Sequence, residues 1–313
     1  MEHQTAFAKA PLYTREFVLL LASGLLLTTG IGVFYLFPLF VLDIGGSKSD
    51  IGILMGTMSL SGVALRPWTS GLVDHLGRKG SMALGCLLMT AVSIAHLFFT
   101  GPLEQVYPIL LALRLVFGTG VALGIIASLT LAADLAPASR LNEGLGVFGA
   151  MPLMGIAIGP VIGESIIHQW GFRAMFFTGA VFFSSGFCLL LLLKDNFSRP
   201  DGGPGGGFMK ALRIGLVWRM AIICLCFGVA FAAHGGFVAP FAKAGAMPVS
   251  AYFVSYSTAA VLSRLFGGKL ADRVGERRLI PMSLVIAGTG FVCLTQVTSA
   301  IGLTGTGFVA GLG

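Results

Sequence analysis

Nine stretches of this chain are too long and too apolar to be the core helices of a water-soluble domain. About 20 mostly apolar residues are needed to carry a helix across the hydrocarbon core of a bilayer. Such runs occur near 16–42, 51–72, 80–100, 106–132, 142–167, 172–194, 214–242, 249–271 and 279–300, and a tenth begins near 302 and is still apolar at Gly313. Only 11% of the residues are charged and 56% are hydrophobic, whereas a soluble domain carries about 25% charged residues. The chain therefore reads as an all-α membrane protein with nine to ten spans. The run from Phe17 to Val41 is longer than the apolar part of a signal peptide and lacks a small-residue cleavage site, so it reads as the first span.

One break differs from the short connections. The stretch KDNFSRPDGGPGGG, 194–207, is rich in Pro, Gly and charge and cannot continue a span. It divides the chain into a six-span bundle (1–194), a linker (195–213) and a second bundle (214–313).

The net charge of +7 acquires meaning from its placement. Lys9, Arg15, Arg78, Lys79, Arg140, Lys194, Arg199, Lys210, Arg213, Arg273, Arg277 and Arg278 fall on one side of the predicted spans, and only Lys48, Arg173 and Lys243 on the other. Basic loops stay in the cytoplasm, which predicts a cytoplasmic N-terminus and linker and an inner, plasma-membrane location. No zinc spacing and no basic stripe with interleaved aromatics points to nucleic acid. The five cysteines, Cys86, Cys188, Cys224, Cys226 and Cys293, all lie inside apolar runs and read as small buried packing residues rather than metal ligands or disulfides. Neither a metal nor a cofactor is expected.

Two polar turns interrupt the apolar pattern in the same way. LRPWTSGLVDHLGRK begins at Leu65 and SRLFGGKLADRVGER at Ser263. Arg264, Leu270, Asp272 and Gly275 each stand 198 positions after Arg66, Leu72, Asp74 and Gly77. Each copy joins one span to the next, and six spans separate them. A parallel repeat of six-helix halves is the sequence signature of one transporter architecture.

These turns resemble the signature G-x-x-x-D-R-x-G-R-R of the major facilitator superfamily. Gly268, Asp272, Arg273, Gly275 and Arg277 follow it in the second copy, with Glu276 at a usually basic position. In the first copy Asp74, Gly77, Arg78 and Lys79 fit, while Ser70 and His75 depart from it. The resemblance extends over the whole chain and implies two pseudo-symmetric halves that rock about a midplane site. It implies that Asp74 with Arg78 and Lys79 forms a cytoplasmic latch stabilising the outward-facing state. A half of about 198 residues leaves the second half incomplete at Gly313, so most of the tenth span and two further spans are expected beyond it.

Three further motifs carry the resemblance. RLVFGTGVA places Arg114, Gly118, Gly120 and Ala122 in the family's fourth-helix pattern, with Phe117 where Gln is common. An arginine within a span is costly without a partner or water-filled cavity, so Arg114 is read either as a proton-coupling or substrate residue or as a buried cation satisfied by backbone carbonyls. ADLAPASRLNEGLG, 133–146, supplies Asp134, Arg140 and Glu143, which resemble a cytoplasmic charge relay and also suit plain helix capping. In the fifth span Gly146, Gly155, Gly159, Pro160 and Gly163 resemble the antiporter motif of proton-driven exporters, where glycines make a smooth, closely approached face and the proline kinks the helix. Glu164 stands at the motif's last glycine, and reads as an interfacial acid or as a protonatable cavity group. His234, among glycines in the seventh span, is either a packed residue or a proton carrier. Tyr35 and Asp43 of the first span and Tyr252 and Tyr256 of the eighth line a cavity or anchor the interface. His96 and His168 fall near span ends and are expected to meet water.

The function this implies is secondary active transport, proton-coupled export of a small organic molecule by a monomer in the lipid bilayer. A nutrient importer or facilitator of the same fold is the alternative. A non-transporting membrane sensor also fits the composition. An intramembrane enzyme is disfavoured, because there is no paired catalytic Asp, no H-E-x-x-H and no G-x-S-x-G.

Overall fold

A computed structural model describes residues 11–99, 101–194 and 214–313. The side chains of 66–71, 73, 74, 216, 219, 265–273 and 276 lie outside the description, and so does the linker expected at 195–213. The described residues are helical throughout, with no strand among them. The chain divides into two compact units, Met1–Phe197 and Ser198–Gly313.

In the first unit the order is α1 (Arg15–Val33), α2 (Phe37–Asp43), α3 (Lys48–Ala64), α4 (Arg66–Ala95), α5 (Leu103–Leu135) and α6 (Leu141–Leu191). The second holds α7 (Gly215–Ala244), α8 (Val249–Val274), α9 (Glu276–Leu294) and α10 (Ala300–Leu312). Five segments of the described residues are long and apolar enough to cross a membrane, namely Arg15–Asp43, Leu103–Leu135, Ala138–Leu191, Met220–Ala244 and Arg277–Leu294.

The boundaries differ from the sequence expectation where proline and glycine act. The first run is interrupted by a 3₁₀ turn, Phe34–Leu36, because Pro38 in the first turn of α2 offers no amide hydrogen to carry the ladder through. The second run ends at Ala64, and Leu65 leaves the helix two residues before Pro67. The loop expected after residue 72 is reduced to one residue: Gly77, at φ 73° and ψ 169°, breaks α4 into two helices. Gly171, at φ 79° and ψ −176°, does the same to the 51-residue α6. Side chains with a Cβ are excluded from this backbone region, which is nearly glycine's alone.

α1 packs along α6 over most of its length, and α5 packs against α3 and α4. The core of the first unit is aromatic, with Phe34, Phe37, Phe117, Phe176 and Phe183 all buried. In the second unit α10 packs against α8 and α9, and α7 leaves Met220, Ile222, Ile223, Leu225 and Val229 exposed.

The cysteine expectation needs correction. Cys86 alone is buried, and Cys188, Cys224, Cys226 and Cys293 are free and exposed on their units. An apolar run fixes that a residue lies in an apolar helix, not which side of that helix it occupies.

Candidate functional site

The polar turn gathers three helix ends. Gly77 turns the chain so that Arg78 pairs with Asp134 at the last turn of α5. Lys79, the next residue, donates from Nζ to the carbonyl oxygens of Leu191 and Leu193, where α6 ends. A cation there meets the orphan carbonyls and the negative end of the helix dipole. Asp74, Gly268, Asp272 and Arg273 lie outside the described side chains, so the latch is seen only through Gly77, Arg78, Lys79, Gly275 and Arg277. Gly275 caps α9 at φ 83°, and Arg277 is exposed.

The expected relay of Asp134, Arg140 and Glu143 separates into two pairs. Asp134 engages Arg78, while Arg140 donates from Nε and Nη2 to the two oxygens of Glu143 at 2.8 and 2.6 Å. The i,i+3 spacing lets Arg140 reach Glu143 on its own helix start.

Three glycines of α6 form a seam with α1 and the 3₁₀ turn that follows it. Gly155, Gly159 and Gly163 lie against Thr28, Gly32 and Leu36, one helical turn apart on both sides. A Cβ at Gly159 would stand 2.6 Å from the Gly32 Cα and from the Thr29 carbonyl oxygen. Thr28 ties the seam by donating to the Met151 carbonyl at 3.2 Å. Gly146 is exposed with open space around it and does not join; Gly144 is buried against Ala136 and Leu12 instead. The backbone stays helical through Pro160, and the break in α6 falls at Gly171.

Arg114 is 1% exposed. Its Cζ stands 3.5 Å from the ring centroid of Phe37, with Phe117 at 5.1 Å and Phe34 at 5.4 Å. Guanidinium over ring faces is a cation–π arrangement, strengthened by desolvation. Nη2 lies 3.4 Å from Nε2 of His96, and Nε has no hydrogen-bond partner. Among the described contacts of Arg114, its partners are aromatic rings and His96 rather than backbone carbonyls. His96 corrects a second expectation, since it is fully buried rather than in water. Its place in the aromatic core follows from α4 packing on α5, and no local sequence signal marks it.

His234 lies in an aromatic cage in the second unit, with ring centroids of Tyr256 at 4.7 Å, Tyr252 at 5.2 Å, Phe231 at 5.3 Å and Phe253 at 5.5 Å. Neither ring nitrogen has a hydrogen-bond partner. It borders a cavity of about 260 Å³ between α7 and α9, lined also by Phe237, Phe241, Phe291 and Leu294. Glu164 is half-buried beside the seam. Among the described residues no group of His, Cys, Asp and Glu is placed to hold a metal ion.

The chain as a whole is similar to known proteins. Residues 18–313 match the family model of the Major Facilitator Superfamily. Quinolone resistance protein NorA of Staphylococcus aureus is 25% identical over 199 residues, covering 64% of this chain and 47% of that protein. The chain thus matches about half the length of that relative. Multidrug resistance protein 2 of Bacillus subtilis is 26% identical over 311 residues, covering 91% of this chain and 76% of its own. Among solved structures, the human organic anion transporter MFSD10 (TETRAN) superposes with a TM-score of 0.69 at 15% identity, over 97% of this chain and 84% of that one.

Proposed function

The chain belongs to the major facilitator superfamily, and on that premise we propose that it is a secondary active transporter exporting a small, amphiphilic organic molecule in exchange for protons. The observation that carries export is the seam of Gly155, Gly159 and Gly163 against α1. Two helices in such contact exclude water and ions between them, which a carrier working against a gradient requires. The names of the bacterial relatives, quinolone resistance and multidrug resistance, support the substrate class. Arg114 supports coupling, because a cation buried this deeply costs free energy that a purely structural position avoids. In this reading the N-terminus and the Arg78 turn face the cytoplasm of the inner membrane, and the Arg78–Asp134 pair belongs to the outward-facing state.

The test is dye and quinolone movement in inverted membrane vesicles, energised and then uncoupled. Uphill uptake that collapses with the uncoupler and weakens in Asp134→Asn is the expected result. Downhill movement unaffected by the uncoupler would overturn proton coupling and favour a facilitator.

A further inference from the structure

We propose that His96 is the positioning residue for Arg114: its Nε2 lone pair holds the guanidinium in the aromatic cage, and a proton on that nitrogen releases it. The coupling role rests on the reading of the chain as a proton-driven exporter; the hydrogen-bond switch itself does not.

The geometry fixes the tautomer. Nδ1 of His96 lies 2.7 Å from the carbonyl oxygen of Val92. A carbonyl only accepts, so Nδ1 carries the hydrogen. In a neutral imidazole the other nitrogen is then a bare acceptor. Arginine has donors only and stays protonated in proteins, so Nη2–H donates to Nε2 across 3.4 Å.

The surroundings make this arrangement exclusive to the neutral ring. From the elements packed around it, His96 is faced by Arg114 of α5 and by the rings of Phe34, Phe37 and Phe176. Arg114 in turn meets Phe34, Phe37 and Phe117. Among the described contacts of the two residues there is no carboxylate. A proton added at Nε2 converts the acceptor into a donor. Two donors and two positive charges then oppose each other in a buried site. The Nη2–H···Nε2 bond breaks, and the guanidinium must move, while Nδ1–H can keep Val92.

Movement of Arg114 acts directly on the helices that line it. The cage is built from the 3₁₀ turn after α1, the start of α2 and the middle of α5. The same 3₁₀ turn carries Leu36, which packs on Gly163 of the seam. Proton arrival at His96 is thereby linked through one turn of chain to the α1–α6 contact.

The experiment is a pH titration of the full protein labelled with ¹⁵N-histidine and ¹⁵N-arginine, followed by NMR, with His96→Gln identifying the ring signal and Arg114→Lys the guanidinium signal. The expected result is a neutral, Nδ1-protonated ring at pH 7.5, an Arg114 signal that changes at the same pH as the His96 signal, and a His96 titration shifted at least tenfold in proton concentration by Arg114→Met. A His96 ring that stays neutral over the whole range in which the protein is folded, an Arg114 signal that stays fixed while His96 protonates, or a titration unmoved by Arg114→Met would each overturn the proposal. His96→Gln retains an acceptor but cannot titrate. It should keep substrate exchange without a gradient and lose at least tenfold of the gradient-driven component. If it fails to fold, the Arg114→Met titration still decides. If the wild type moves no compound, the exporter reading fails while the NMR arm stands.

Discussion

Gly77 and Gly275 hold the same left-handed backbone, φ 73° and 83°, at positions 198 residues apart. Each is the single residue at which one helix stops and the next starts. The sequence repeat is therefore also a conformational repeat.

Alanine at either position must carry its Cβ into a region that excludes it. Gly77→Ala and Gly275→Ala should each lose about 1–3 kcal/mol of stability. Gly56 is the control: it lies in α3 with open space around it and ordinary helical torsions, so Gly56→Ala should hold or raise the melting temperature, by helix propensity of about 1 kcal/mol at most. Melting curves of the three purified variants check this.

The seam predicts a contrast within one motif. Gly159→Ala forces a methyl group against Gly32 and Thr29 and should cost about 1–3 kcal/mol as the helices part. Gly146→Ala meets nothing and should, like Gly56→Ala, hold or slightly raise stability. Ion leak across liposomes holding each variant is the second readout, with leak expected only for Gly159→Ala. Equal behaviour of the two variants would remove the seam's role.

The Arg78–Asp134 pair should contribute little to stability. Its side chains are 44% and 41% exposed, and exposed pairs give about 0.2–1 kcal/mol. A double-mutant cycle on Arg78→Ala and Asp134→Ala should return a coupling in that range that shrinks at high salt. The functional expectation is separate: either substitution should change the fraction of molecules open on each side, measured by labelling of single introduced cysteines.

Asp50 supplies a pH dependence outside the spans. The hydroxyl of Ser47, and then its amide, hydrogen-bond the Asp50 carboxyl and hold it below the usual carboxylate range. Together they form a capping box at the start of α3. A lowered carboxyl stabilises the fold above its unfolded value of about 3.9, and that contribution is lost as the pH falls through the folded value. Amide exchange at Ser47 and Asp50 should rise as the pH drops through that window, after correction for intrinsic exchange, and Asp50→Asn should remove the dependence.

Much of the fold was legible because its signals are local. Apolar length marks the long helices, five of whose described segments could cross a membrane, and the 198-residue spacing recurs in the paired glycine turns. Glycine at Gly77 and Gly275 marks a turn that only glycine makes. The site was less legible. Arg114 stood out as a cation inside an apolar run, and the spacing of Gly155, Gly159 and Gly163 announced a packed face. His96 did not stand out, since a histidine near a span end gives no hint of burial.

The sequence by itself determined which stretches form long apolar helices, which prolines and glycines can break them, and which charges lie within or between them. Periodicity, proline's missing amide and glycine's torsional freedom act over a few residues. Only the tertiary structure decided who meets whom. Asp134 chose Arg78 over Arg140, Gly159 met Gly32, and Arg114 found His96 with Phe37, because such contacts depend on how each helix is rotated and shifted against its neighbours. That rotation is set by the packing of whole faces, a sum over many distant residues that no short stretch of the chain encodes.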